Sequence, residues 1–192
     1  LTIQEFLAAK HVTETFAPSD IKEFISSHFC EPQWHLVLQF IAGLLGKKMR
    51  KFDRSYEDCV MEYAEGFKEI HDTIELHFKE MFVMKCLKEL DNERIAKDVC
   101  ETSAIKDAVE LISVDPRFSP SDWVAVNFIC KHINNLSQFV ITNANSDCLR
   151  EILKLLTNAC LTKVTIMNPI EIDDVEVENV FNALKNTKCA RK

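Results

Sequence analysis

Apolar residues return at three- to five-residue steps through the first hundred positions, the spacing of one face of an α-helix. In LTIQEFLAAKHV, Ile3, Phe6, Leu7 and Val12 fall near one stripe. The pattern restarts in APSDIKEFISSHF, where Pro18 separates two segments and Ser19 is placed to cap a helix carrying Ile21, Phe24 and Ile25. In CEPQWHLVLQFIAGLLGKK, Pro32 stands near a helix start and apolar side chains lie nearly all round. That pattern predicts a helix enclosed by others at the centre of a bundle. From Tyr56 to Val99 the stripe continues as Cys59, Tyr63, Phe67, Ile70 and Ile74, then as Phe78, Met81, Met84, Leu87 and Leu90. Asp91 or Asn92 is placed to cap a further helix through Ile95 and Val99.

After about residue 105 the period changes. Read as L-x-x-L-x-L, the fragments Val109..Ile112.Val114, Leu136..Phe139.Ile141 and Leu161..Val164.Ile166 recur at spacings of 27 and 25 residues. Each is followed by a polar corner and a helical segment: SPSDWVAVNFICKHI, SDCLREILKLL and DDVEVENVFNALK. A strand-turn-helix unit used three times at this period is the signature of leucine-rich repeats. Ser119, Pro120 and Asp122 form a capping-box variant at the first of the three helices. The expected fold class is therefore α+β, mainly α. A helical domain spans residues 1–105, and about three leucine-rich repeats, a short right-handed β-α solenoid truncated at its C-terminal end, span residues 106–192.

Strand alternation divides the repeat residues into two sets. Ile112, Val114, Phe139, Ile141, Val164 and Ile166 should be internal, and Leu111, Ser113, Gln138, Val140, Thr142, Lys163, Thr165 and Met167 should face outward. Of the outward set, Gln138, Val140, Thr142, Lys163, Thr165 and Met167 are the candidate contacts for a protein partner on the concave face. The third unit ends in KNTKCARK with no capping unit, so its apolar flank should be exposed unless further repeats follow.

Composition narrows the function classes. Lys+Arg 23 against Asp+Glu 30 leaves a formal charge of -7, a field that repels nucleic acid and anionic membrane. The longest apolar run, WHLVLQFIAGLLG, is about 13 residues against the roughly 20 that a spanning helix needs, so no membrane is expected. Eight cysteines lie scattered without CxxC pairs among apolar neighbours, which reads as free buried thiols in a reducing, cytoplasmic compartment.

Sites of chemistry are sparse. His11, His28, His35, His71, His77 and His132 lack the spacing of a zinc site, and no metal is expected. Cys148, at a helix start after Ser146 and Asp147, is the best-placed thiol for a nucleophile, but the adjacent carboxylate opposes its ionisation. The basic run GKKMRK, residues 46–51, fits a helix C-terminus, where cations meet the negative end of the dipole. Asn135-Leu136-Ser137 is a formal glycosylation triplet at a strand start. Trp34, Phe40 and Trp123 are expected in the core.

Three stretches carry a resemblance. LTIQEFLAA resembles the L-[ST]-x-Q-E-[FY]-L-A-A segment of the NACHT-containing NOD-like receptors, which lies in the helical region after their nucleotide-binding module. WHLVLQFIAGLLGKK is similar to the family's W-x-x-V-x-x-F-x-x-G-L-L helix, and MFVMKCLKELDNERIAKDV to its x-K-C-L-x-E-x-x-N helix pair. The stretch MRKFDRSYEDCVMEYAEGFKEIHDT matches no family pattern. The resemblance implies a second helical domain followed by the first repeats, without the effector domain and nucleotide-binding module. It implies a non-enzymatic segment with no catalytic residue and no cofactor, coupling an ATPase module to ligand-sensing repeats in innate immunity. No G-x-x-x-x-G-K-[ST] is present, and 3 glycines do not suffice for a phosphate-binding loop. The expected partner is a protein, or the parent's own nucleotide-binding module, with the oligomeric state left open. The alternative is a cytosolic leucine-rich-repeat scaffold that binds a protein partner without a nucleotide switch.

Overall fold

Helix follows helix through the first part of the chain. The computed structural model describes residues 2–51, 56–68, 76–102, 111–113, 118–133, 138–143, 145–156, 163–167 and 172–186. It is mostly helical and divides into two units, Leu1–Ala104 and Ile105–Lys192. The first unit holds α1 (Thr2–Thr15), α2 (Pro18–His28), a 3-10 turn (Pro32–Trp34), α3 (His35–Arg50), α4 (Glu57–Lys68), α5 (Leu76–Leu90) and α6 (Glu93–Thr102).

Helix α3 is the hub, packing against α1, α4 and α5, while α2 lies on α4 and both α4 and α5 meet α6. Ile21, Ile25, Phe29, Leu38, Ile41, Leu45, Leu87 and Leu90 fill the core. Tyr63 is buried with them, and its hydroxyl donates to the Leu38 carbonyl at 2.7 Å, which satisfies a polar group away from water. His35 stacks on Phe82 at 4.1 Å, with Nε2 3.0 Å from the Phe29 carbonyl.

Several local expectations are corrected. Three of the four residues expected on the α1 stripe are exposed, Ile3 to 75% together with Phe6 and Leu7, while Val12 is buried and Phe6 meets Phe40 of α3 edge-on at 5.7 Å. The buried face is Ala9, Val12 and Thr13, about a third of a turn away, where smaller side chains let α1 sit close on α3. Helix α2 starts at Pro18 with Ala17 as its cap, not at Ser19, because proline's fixed φ and missing N–H suit the first helical position. Asp20 accepts the Ala17 N–H at 3.4 Å. In α3 the buried residues Val37, Leu38, Ile41, Ala42, Leu45 and Gly46 form one broad face, while Leu36 is exposed and Trp34 and Phe40 are only half-buried. Ile70 and Ile74 lie outside the described residues, as does the side chain of Phe78.

The α5–α6 corner uses Asp91 and Asn92 in different roles. Asp91 takes φ 52°, a left-handed conformation that short polar residues tolerate, and its N–H donates to Leu87 O at 3.1 Å. Asn92 caps α6, its Oδ1 accepting the Ile95 N–H at 3.1 Å.

The second unit alternates strand and helix: β1 (Leu111–Ser113), α7 (Pro120–His132), β2 (Gln138–Thr142), α8 (Ser146–Leu156), β3 (Lys163–Met167) and α9 (Asp174–Asn186). The strands form one parallel sheet in the order β1-β2-β3. The helices follow the same order, α7 against α8 and α8 against α9. Phe139 stands opposite Val164 and Ile141 opposite Ile166, the expected pairing. The first strand departs from it, because Ile112 stands opposite Ile141 rather than Phe139, so the first spacing is 29 residues and not 27. A slip of two residues keeps each side chain on its face, and the same alternation survives it.

Helix α7 begins as its sequence predicts. The Asp122 carboxylate accepts both the backbone N–H and the hydroxyl of Ser119 at 2.6 Å, and Pro120 takes the first helical position. Asp122→Ala should lower stability by about 1 kcal/mol in urea unfolding, the usual size of a lost cap. Ile141 is fully buried at the centre of the sheet. Ile141→Val should cost about 1 kcal/mol by removing one methyl group from a packed site, read by the same unfolding curves.

Candidate protein-interaction surface

Strand alternation and register place the sequence-derived contact residues in rows. Gln138 is paired with Lys163, Val140 with Thr165, and Thr142 with Met167. Partners across neighbouring strands lie about 4.8 Å apart, so residues of one row share one face of the sheet. Lys163 and Met167 are exposed, and Val140, Thr142 and Thr165 are half-buried. The backbone of β1 extends the rows, with Leu111 opposite Val140 and Ser113 opposite Thr142. The side chains of Leu111, Ser113 and Gln138 lie outside the described ones. The described part of the face therefore offers one cation, two hydroxyls and two apolar side chains, a mixture that suits a polypeptide more than a small anion or a lipid.

The opposite face is less uniform than expected. Ile141 is buried, but Val164 and Ile166 are only half-buried, which corrects their assignment as internal. Among the described residues β3 has a sheet neighbour on one side only, so its inward side chains lack cover from the other. Val114 and the side chains of Ile112 and Phe139 lie outside the described residues.

One positioning residue escapes the sequence reading. Asn143 follows β2 with φ 56°, and its N–H donates to the Met167 carbonyl at 2.9 Å, tying the corner after β2 to the end of β3. Two residues later the Asn145 side chain accepts the Cys148 N–H at 2.9 Å and caps α8. The signal was available in N-A-N directly after an apolar strand, since asparagine favours both left-handed corners and helix caps.

No protein-family model and no curated protein matches this chain.

Several of the other chemistry-bearing residues among those described make packing or hydrogen-bond contacts. Cys148 is buried, and burial followed by the Asp147 charge pushes its thiol up, against the Asn145 hydrogen-bond contribution. Among the described residues no group of three or more His, Cys, Asp or Glu is arranged to hold a metal ion. His71 and the side chain of His77 lie outside them. His28 lies against Trp34 at 4.6 Å, His11 against Phe16 and His132 against Phe128, so these rings pack with aromatics. Lys47, Lys48 and Arg50 occupy the last turn of α3. Lys48 Nζ donates to Tyr56 Oη at 2.6 Å, and Arg50 pairs with Asp91 at 3.0 Å. The triplet Asn135-Leu136-Ser137 lies outside the described residues. Among the described residues no helix is long and apolar enough to cross a membrane.

Proposed function

We propose that the chain is a non-enzymatic regulatory and protein-interaction segment of a NACHT-containing NOD-like receptor, its first unit the second helical domain and its second unit the first leucine-rich repeats. The observation that carries the repeat part is the in-order parallel sheet, with Phe139 opposite Val164 and one helix after each strand. Stacked repeats bury apolar surface against their neighbours in this order. The receptor part rests on LTIQEFLAA, on WHLVLQFIAGLLGKK, which forms α3 at the hub of the first unit, and on MFVMKCLKELDNERIAKDV, which runs through the α5–α6 corner.

In this reading the helical unit couples the parent's ATPase module to the repeats in the cytoplasm, and the pair restrains the receptor until a ligand or partner favours the open form. A partner shifts that balance only by its difference in affinity for the two states. The sheet face bearing Val140, Thr142, Lys163, Thr165 and Met167 is its docking surface.

The test is binding of the parent's nucleotide-binding module, supplied in trans in its ADP form, to this chain. Lys163→Glu combined with Met167→Glu should weaken that binding about tenfold, as expected when exposed contacts become anionic, without changing thermal unfolding. A parent reading frame that carries no phosphate-binding loop upstream sinks the receptor reading and leaves the scaffold.

A further inference from the structure

The chain has 2 tyrosines, and the fold uses their hydroxyls in opposite ways. Tyr63 is fully buried and donates its proton to the Leu38 carbonyl. Tyr56, half-buried and one residue ahead of α4, accepts instead: Lys48 Nζ donates to its oxygen at 2.6 Å. Among the described residues no group accepts the Tyr56 proton.

Cations gather beside that oxygen. Lys48 also donates to the Thr13 carbonyl at 3.4 Å, so its ammonium sits where the last turn of α1, the last turn of α3 and the start of α4 come together. The Lys51 N–H donates to the Lys48 carbonyl at 3.1 Å, a turn of 3-10 type in which side chains three residues apart eclipse, and this places the exposed Lys51 over Lys48. Arg50 is engaged elsewhere, by Leu90 O and Asp91. A phosphoryl group on Tyr56 Oη would set three strong acceptor oxygens and nearly two negative charges beside the ammonium that already touches Oη. Because Oη accepts in this contact, replacing its hydrogen by phosphorus removes no hydrogen bond among the described residues. Glu57 and Asp58 follow in the first turn of α4, but both are exposed, so water and salt screen their repulsion, whereas Lys48 is half-buried and in direct contact.

We propose that Tyr56 is a tyrosine-phosphorylation site whose phosphate is received by Lys48 and Lys51, clamping the start of α4 to the end of α3. The reaction is phosphoryl transfer from ATP on a protein-tyrosine kinase. Tyr56 Oη attacks the γ-phosphorus, the bridging bond to the β-phosphate breaks, and ADP leaves as the phenolic proton passes to the kinase's catalytic base. The flanking sequence DRSYED puts Asp53, Glu57 and Asp58 around the acceptor, a charge pattern that complements a basic peptide groove. The site lies in the stretch that matches no family pattern, so it does not depend on the receptor reading.

A tyrosine-kinase catalytic domain, chosen because it phosphorylates a peptide of residues 50–62, is applied with ATP and Mg²⁺ to the full chain, and the sites are mapped by tandem mass spectrometry. The chain should gain one phosphate, on Tyr56 and not on Tyr63, at no less than about a tenth of the peptide's rate, since the acceptor has only one hydrogen bond to leave. Tyr56→Phe should abolish the reaction. The phosphorylated chain should unfold about 4 °C higher than the unmodified one. In a Lys48→Gln background the same phosphate should give less than about half that rise, and in Lys51→Gln, a change at an exposed position, a smaller reduction. Comparing each background with and without phosphate removes the cost of the substitution itself. A folded chain that stays unmodified while the peptide reacts, a phosphate that lowers the midpoint, or an equal rise in all three backgrounds overturns the proposal.

Discussion

Gly46→Ala should lower the thermal unfolding midpoint of the first unit by about 10 °C or more. A Cβ at Gly46 would stand 2.1 Å from the Leu90 carbonyl oxygen and 2.8 Å from its carbon. Both atoms belong to the backbone at the end of α5, so no rotamer change relieves the clash, and α3 and α5 must separate. That end of α5 is also held by Arg50, whose guanidinium donates to Leu90 O at 3.4 Å and pairs with Asp91. Overpacking of this kind costs about 3 kcal/mol, at the upper end of the usual range. Gly43, one turn earlier in the same helix, is the control: its nearest atom would be Glu89 Oε2 at 3.9 Å, an ordinary contact. Gly43→Ala should therefore stabilise by roughly 0.5–1 kcal/mol through helix propensity alone. Differential scanning calorimetry of the two variants should give shifts of opposite sign. Equal shifts would remove the close α3–α5 approach from the account.

Alkaline pH should destabilise the chain from about pH 9 upward. Burial pushes the thiols of Cys86 and Cys100 from 9.0 up to about 12, with Glu89 adding to the first and Glu101 to the second, and the Tyr63 hydroxyl bonded to Cys86 opposing the rise at Cys86. Tyr63 itself is raised well above 10.0, again chiefly by burial. These groups keep their protons in the folded chain while the unfolded chain releases them. Their contribution is complete below pH 9, where both states are protonated, and falls as pH rises towards 12. Each group that titrates only in the unfolded chain removes about 1.4 kcal/mol per pH unit over that window. Urea midpoints measured from pH 8 to pH 11 should fall with increasing slope, and Cys100→Ala should make the fall shallower whatever it does to the midpoint at pH 8. The same burial predicts a pattern of reactivity: at pH 8 a thiol reagent should modify the exposed Cys30 and spare Cys86 and Cys100 until the chain unfolds. Rapid labelling of Cys86 in the native chain would contradict its burial.

Much of the architecture is legible because its signals are local. Pro120 with Ser119 and Asp122 announces a helix start within four residues, and Asn92 does the same for α6. The change from helical spacing to strand-turn-helix units is written in the recurring fragments that contain Phe139, Ile141, Val164 and Ile166, and these four pair as the recurrence implies. The candidate face follows from the same recurrence, since alternation alone sends Val140, Thr142, Thr165 and Met167 to one side. What failed was of another kind. Ile3, Phe6 and Leu7 share a stripe with Val12 in the sequence, and nothing within α1 says that of the four only Val12 will be buried.

The sequence by itself determined which segments are helix and which are strand, where several of them start, and that the strand residues recur in phase. Those properties depend on side chains within one turn or one strand of each other. Only the tertiary structure decided the two-residue offset of β1, the half-covered state of Val164 and Ile166, and the contrast between Gly43 and Gly46. Each of these is set by what a distant segment places within a few ångströms, and a periodic pattern specifies a face without specifying what comes to cover it.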